Sequence, residues 1–425
     1  MNILILSIGS NPMPNFIVPG YLLSNKRDKY ERESVLPKPD KIMFVYSTQT
    51  APFKNLIVKQ LNFDDNKVLN INLEDNQRKY DLIKKRVLDK LYELKKENNI
   101  SSIHLNYTGG TKPMAVGISS AVEKFTKCNK KIYSDLSPSK LTLTLRNGDE
   151  YPINGTMADF VKLTIEELYE LHDLQKPDPE KLKKKNSELY SEEFIKFLFN
   201  KNGGYKSGDK DFYDKWYLLP TTSKSYKARK ELRKKSEKYQ IMEEDELNDE
   251  LELLKYYLKE SISKYYQIEI SGDWKFISAF VSGIWLEEYL LSVILEIKDE
   301  CKLTDLAWNI ETKIAGRKFE LDVIAIKGCE TFVFSCTTDF SSGLCKSKAF
   351  EVFYRSNQIG GEVSKSILVC MADNFGSGSN SRVVDDIDID MSQFDANKNF
   401  YILGSEDIRD KKNFKEKLIS IFEGE

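Results

Sequence analysis

The chain has 425 residues, 40% hydrophobic and 31% charged, with a formal net charge of −2. That length exceeds one ordinary core and implies two or three domains of soluble globular type. The near-neutral charge confines any nucleic-acid surface to a local patch, and two histidines, His104 and His172, exclude a His-rich metal cage.

The opening run Met1-Asn2-Ile3-Leu4-Ile5-Leu6 has no basic leader and ends at Ser7, so it reads as a strand rather than a signal peptide. Strands are predicted at 2–8, 41–47, 67–73, 101–107, 130–135 and 140–146. Helical periodicity marks 76–98 through Leu82, Ile83, Val87, Leu88, Leu91 and Leu94, and a further helix is expected from Pro113 to Phe125. Strands alternating with helices imply a Rossmann-like parallel sheet covered on both faces. Ligands of such sheets sit beyond the carboxyl ends of the strands. No run of eighteen apolar residues occurs, so no membrane span is expected.

After the strand Ile103-His104-Leu105-Asn106-Tyr107 comes Thr108-Gly109-Gly110-Thr111-Lys112-Pro113, then a helix. Two glycines let backbone approach a ligand closely. Free N–H groups at the helix start attract an anion. Thr108 and Thr111 can add hydroxyl donors, Lys112 adds charge, and Pro113 suits the first helical turn. The spacing to lysine is not that of a Walker loop. Two other strand ends belong beside this loop: Ile8-Gly9-Ser10-Asn11 and Ser47-Thr48-Gln49-Thr50. The plainer alternative for Gly109-Gly110 is a tight strand–helix turn.

With Asn106-Tyr107-Thr108-Gly109-Gly110-Thr111-Lys112 as its signature, the segment 1–155 resembles a CARF domain, the cyclic-oligoadenylate sensor of type III CRISPR ancillary proteins. The resemblance implies a cytoplasmic homodimer with a two-fold pocket for cyclic tetra-adenylate or a ring of another size. Ser10, Asn11, Thr48, Gln49, Thr108, Gly109, Gly110, Thr111 and Lys112 are its pocket candidates.

Residues 173–188 are polar, charged and carry two prolines, which marks a boundary. Between 156 and 275 a helical, charged connector is expected, with a helix near 242–266. Its segment 224–238 holds eight Lys or Arg residues, read as a solvated face balanced by the acidic run 243–252, with phosphate contact as the alternative. Tyr205, Tyr213 and Trp216 are assigned to packing rather than base stacking.

Residues 276–425 read as a third unit: helix 276–297, strands near 306–314, 318–327 and 330–336, helix 346–359, strand 365–371, and a final strand and helix over 399–422. Six scattered cysteines without C-x-x-C spacing fit reduced thiols in a cytosol. Glu320-Leu321-Asp322 on a strand places both carboxylates on one face. Asp322 sits amid apolar residues, where an unpaired charge is costly and a hard divalent cation would offset it.

On these residues the segment resembles the restriction-endonuclease-like PD-(D/E)xK fold. That resemblance implies a metal-dependent nuclease using Mg²⁺ or Mn²⁺ on a DNA or RNA substrate, with Asp322 as the first carboxylate. The following strand departs from the pattern: Ser335 stands where Glu is expected and Thr337 where Lys is expected. Either catalysis is lost, leaving a ligand-controlled binding protein, or the missing side chains have moved to the next helix. The second is the working expectation. Lys348, Glu351 and Arg355 then share one helical face, Lys348 orients water or stabilises the phosphate, Glu351 completes the metal shell, and Ser335 holds a water. Glu320 and Glu287 are further acidic candidates, and Phe350, Phe353 and Tyr354 are expected to bury the helix beside the strand.

Overall fold

The computed structural model of the chain describes residues 1–26, 37–126, 132–137, 142–145, 150–152, 157–174, 283–314, 317–339, 341–361, 364–372, 383–394 and 399–424. Most of the expected connector, including Tyr205, Tyr213, Trp216 and the basic segment 224–238, lies outside the described residues, as do residues 276–282.

The first sheet is built from β1 (Asn2–Ser7), β2 (Lys41–Tyr46), β3 (Val68–Asn72), β4 (Ser102–Asn106), β5 (Ile132–Ser137), β6 (Thr142–Leu145) and β7 (Glu150–Pro152), in the order β3-β2-β1-β4-β5-β6-β7. β3 to β5 are parallel, and β6 and β7 add an antiparallel edge. The apolar run of β1 is buried on both faces, as a central parallel strand requires. Ile3 and Ile5 enter one core while Leu4 and Leu6 enter the other.

On the first face lie α3 (Tyr80–Glu97) and α4 (Lys112–Thr126). α3 turns Ile83, Val87, Leu88, Leu91 and Leu94 inward, the stripe foreseen from sequence. On the other face lie α1 (Met13–Leu23), α2 (Ala51–Gln60), α5 (Met157–Phe160) and α6 (Ile165–Leu171). α1 was not foreseen from sequence. Pro14 opens it at a tolerated first-turn position and Pro19 lies inside it. Burial of Phe16, Ile17, Val18, Tyr21 and Leu22 holds it against those breakers.

The second sheet comprises β8 (Asp305–Ile314), β9 (Arg317–Lys327), β10 (Glu330–Thr337), β11 (Lys365–Cys370) and β12 (Phe400–Leu403), ordered β12-β11-β10-β9-β8. β8, β9 and β10 form an antiparallel meander, and β11 and β12 join in parallel. α7 (Trp285–Ile297), α10 (Ser405–Arg409) and α11 (Lys411–Glu423) contribute to the core on one face. On the other face α8 (Ser342–Gly360) and α9 (Val383–Ser392) join the helices of the first unit in one continuous core.

Residues 161–174 tie the halves together. Leu163 N–H donates to Gly328 O at 2.8 Å and Ile165 N–H to Asp305 Oδ2 at 2.8 Å. Thr164 and Glu167 form a reciprocal cap on α6. His172 is half-buried after α6, and desolvation pushes its imidazole down to about 4. The cysteines among the described residues are free and buried. No helix of the described residues is long and apolar enough to cross a membrane.

Candidate functional site

The loop between β4 and α4 packs against Ser7 and Gly9 at the end of β1. Its glycines are forced by close approach. A side chain at Gly109 would collide with Ser7 O and lie 2.5 Å from Asn15 Nδ2. Gly110 has φ of 78°, and a Cβ there would strike Ser7 Oγ. Gly9 faces the same loop, its ideal Cβ only 2.6 Å from Gly110 N. Asn15 Nδ2 donates to Ser7 O at 2.9 Å, and Asn106 Nδ2 donates to Pro14 O at 3.1 Å. Asn15 and Asn106 are buried scaffolding rather than ligand residues. Their signal was a polar residue in an otherwise apolar helix and strand.

The threonines act differently from the expectation. Thr108 Oγ1 donates to Asn106 Oδ1 at 2.6 Å, and Thr111 Oγ1 donates to Gln77 O at 2.7 Å. Both hydroxyl protons are therefore used to brace the loop. Ser10, Thr48, Gln49, Thr108, Gly110 and Lys112 are exposed, Asn11 and Thr111 half-buried, and Gly109 buried. Asn11 looks two ways: its Oδ1 accepts from Met13 N–H at 3.0 Å, and its Nδ2 abuts Gly361 at the end of α8.

In the second sheet Asp322 sits where strand pairing lapses. The β9–β10 ladder runs from Glu330↔Lys327 to Phe334↔Val323 and stops one step before Ser335 and Asp322. The β8–β9 register passes from Trp308↔Val323 to Ile310↔Leu321, skipping Asn309 and Asp322, and Asn309 has φ of 47°. Side-chain alternation changes phase here. Phe319 and Leu321 enter the core shared with the first sheet, whereas Val323 and Ala325 enter the opposite one. Period two alone therefore does not fix which face Asp322 takes at this irregular step. Glu320 is exposed, yet its charge still acts on Asp322 and Glu287.

Asp322 Oδ2 accepts from Cys336 N–H at 2.6 Å and from Ser335 Oγ at 3.2 Å. Burial raises its carboxyl above the usual range, while the Cys336 bond, Lys348 and Ser335 pull the other way. Glu287, in the first turn of α7, is pushed up to about 8 by burial and by the charges of Asp322, Glu320 and Glu288, with Lys348 opposing. Two carboxyls held partly out of water beside one ammonium form a centre short of positive charge.

α8 contributes Lys348 but not its other expected members. Glu351 is exposed, its carboxylate 3.8 Å from the Lys348 ammonium on the outer side of the helix, so it stands away from Asp322. The Arg355 guanidinium lies 4.1 Å from the Phe319 ring centre and donates to Gln358 Oε1 at 3.0 Å. Of the three aromatics expected to bury α8, Phe353 packs against the core, whereas Phe350 is 40% and Tyr354 59% exposed. α8 buries Cys345, Ala349, Val352, Ser356 and Ile359. Gly361, with φ of 74°, ends the helix.

Among the described residues no three His, Cys, Asp or Glu side chains gather into a metal cage.

Residues 31–169 match the family model described as the Card1 CARF domain. No curated protein matches the chain in sequence. Among solved structures, protein VC1899 from Vibrio cholerae has a TM-score of 0.60 at 15% identity, covering 99% of this chain and 98% of its own. Can2 from Sulfobacillus thermosulfidooxidans, solved in complex with cyclic tetra-adenylate, gives 0.59 at 14% identity, covering 99% of each chain. At such identities the likeness establishes fold, and it does so along the whole chain. Residues 31–169 are thus similar to a CARF domain, within a two-sheet fold similar to those of VC1899 and Can2.

Proposed function

We propose that the chain is a cyclic-oligoadenylate receptor of type III CRISPR defence that controls a metal-dependent nuclease centre in its second half. The observation that carries the receptor reading is the exposed polar rim of Ser10, Thr48, Gln49, Thr108 and Lys112 at the carboxyl ends of β1, β2 and β4. Can2 was solved with cyclic tetra-adenylate, which makes that ring the first ligand to try. A two-fold ring suits a homodimer, and the exposed Tyr107 and Val116 on and after the loop offer apolar surface to a second copy. Free buried thiols suit a reducing cytoplasm.

The nuclease reading rests on Glu287, Asp322 and Lys348 meeting beside Ser335. The helix–meander–helix–strand order from α7 to β11 supports a restriction-endonuclease-like fold. Glu287 and Asp322 would hold Mg²⁺ or Mn²⁺, whose chemistry is to lower the pKa of water and neutralise a phosphodiester. Lys348 would bind and orient the scissile phosphate of a DNA or RNA strand. Ser335 keeps Asp322 aimed by its 3.2 Å hydrogen bond.

A second reading, a receptor whose second half binds without cleaving, is favoured by Ser335 and Thr337 in place of Glu and Lys. One experiment separates the two. Purified protein is titrated with cyclic tetra-adenylate by calorimetry, then offered labelled single-stranded RNA, single-stranded DNA and duplex DNA with Mg²⁺ or Mn²⁺. The nuclease reading expects ligand-dependent cleavage that Asp322→Ala abolishes with ligand affinity unchanged. Cleavage surviving in Asp322→Ala refutes the assignment, and ligand binding without cleavage leaves the receptor alone.

A further inference from the structure

One line of close contacts runs from the loop after β4 to the carboxylate centre. Gly110, in the left-handed region, faces Gly9, whose ideal Cβ would lie 2.6 Å from Gly110 N. Two residues after Gly9, Asn11 is fixed by its Oδ1, which accepts from Met13 N–H at 3.0 Å. Its Nδ2 is thereby aimed out of the first unit, against Gly361. A Cβ at Gly361 would overlap that nitrogen, with Asn11 Cγ 3.4 Å away. Gly361 closes α8, its N–H donating to Asn357 O.

The end of α8 is seated firmly on its own sheet as well. A Cβ at Gly360 would collide with Thr331 Oγ1 and lie 2.7 Å from Ser364 Cβ. His172 hydrogen-bonds to the Ile359 backbone. An α-helix is a stiff rod rising about 1.5 Å per residue, so displacement at Gly361 is carried along the helix. Lys348, whose charge acts on Glu287 and Asp322, lies on that rod.

We propose that the Asn11–Gly361 contact is the relay by which occupancy of the sensor loop sets the position of α8, and with it Lys348. The relay rests on the receptor reading above, but not on cleavage. A ligand that draws Asn11 toward the rim loosens the end of α8, and one that presses it outward tightens it. In either case only a difference in contact between free and bound states transmits anything.

The test uses the full chain and cyclic tetra-adenylate, with hydrogen exchange of residues 342–360 and calorimetric affinity as readouts and no nucleic acid. Wild type, Gly361→Ala, Asn11→Gly and the double variant form a cycle. In the cycle the strain of Ala at positive φ cancels and only the contact remains. Saturating ligand is expected to change exchange of α8 about fivefold or more in wild type, the lower end of usual coupling. Each single variant should lose that response, and Gly361→Ala should add nothing once Asn11→Gly is present.

An α8 response of wild-type size in both single variants overturns the relay, as does ligand binding to wild type with no α8 response. Failure of wild type to bind at all overturns the receptor reading first, and the relay with it. Should Gly361→Ala not fold, Asn11→Gly at saturating ligand still decides, because position 11 lies in a loop.

Discussion

In the loop after β4 the polar side chains are tied inward and the backbone faces out. Around Asp322 the charged side chains are turned toward one another and held partly out of water. The first arrangement is rigid before any ligand arrives: Thr108, Thr111, Asn106 and Asn15 satisfy each other and the main chain. The second is electrostatically incomplete, with burial raising both Glu287 and Asp322 and the charges of Asp322 and Glu320 pushing Glu287 further. A rigid loop suits recognition, since little ordering is left to be done on binding. An incomplete cluster suits a charged guest, since the guest removes a cost already present.

The rigid side of that contrast breaks most sharply at Gly109. Ala at this position must displace Ser7 O, in the central strand, or Asn15 Nδ2 at 2.5 Å, in the buried helix α1. Neither is the free end of a flexible chain. Gly109→Ala should therefore cost about 3 kcal/mol or more, read as a lower urea midpoint with unchanged slope. A variant as stable as the parent would show that the loop has room to yield, and the contrast would lose its first half.

The incomplete side is sharpened by pH. Glu287 titrates at about 8 in the fold against an ordinary 4.5. The folded state thus keeps a proton that the unfolded state has released, and stability falls as pH rises from about 4.5 to 8. Allowing for partial solvent access, the loss should be about 2–4 kcal/mol over that window. Glu287→Gln should flatten it, so that the variant equals or exceeds the parent in melting temperature at pH 8 without metal. Adding Mg²⁺ at pH 8 should raise the melting temperature of the parent and not of the variant. Parallel pH slopes in the two proteins would remove the strain from the second half of the comparison.

The same contrast explains what sequence could show. Gly109, Gly110 and Lys112 are consecutive, and a strand–loop–helix pattern places them without tertiary knowledge. The apolar strands and the stripe of α3 were readable for the same reason, as local periodicity. The carboxylate centre draws on Glu287, Asp322, Ser335 and Lys348 from four elements, and its geometry turns on a phase change at Asn309 that no period announces. Helical spacing put Lys348 beside Glu351 but could not say which side chains of α8 pointed at the sheet. Arg355 stacks on Phe319 and Glu351 faces water. α1 was missed because Pro14, Pro19 and Gly20 argue against a helix locally, and burial outweighs them.

Glu351 draws the boundary of the centre and carries the smallest expected effect. Its carboxylate is half exposed and meets Lys348 at 3.8 Å, one helical turn away. Exposed pairs at this spacing contribute about 0.5 kcal/mol or less, because water screens the attraction and two flexible side chains must be held. Glu351→Ala should therefore shift stability by no more than about 0.5 kcal/mol and leave any metal-dependent cleavage within about twofold. Lys348→Met should act differently, since it removes a positive charge that opposes the raised titration of Glu287. It should steepen the pH 4.5 to 8 loss where Glu351→Ala does not. A tenfold fall in cleavage for Glu351→Ala, about 1.4 kcal/mol at the transition state, would bring α8's outer face into the centre. The divide between a surface pair and a strained interior would then lie on the wrong side of Glu351.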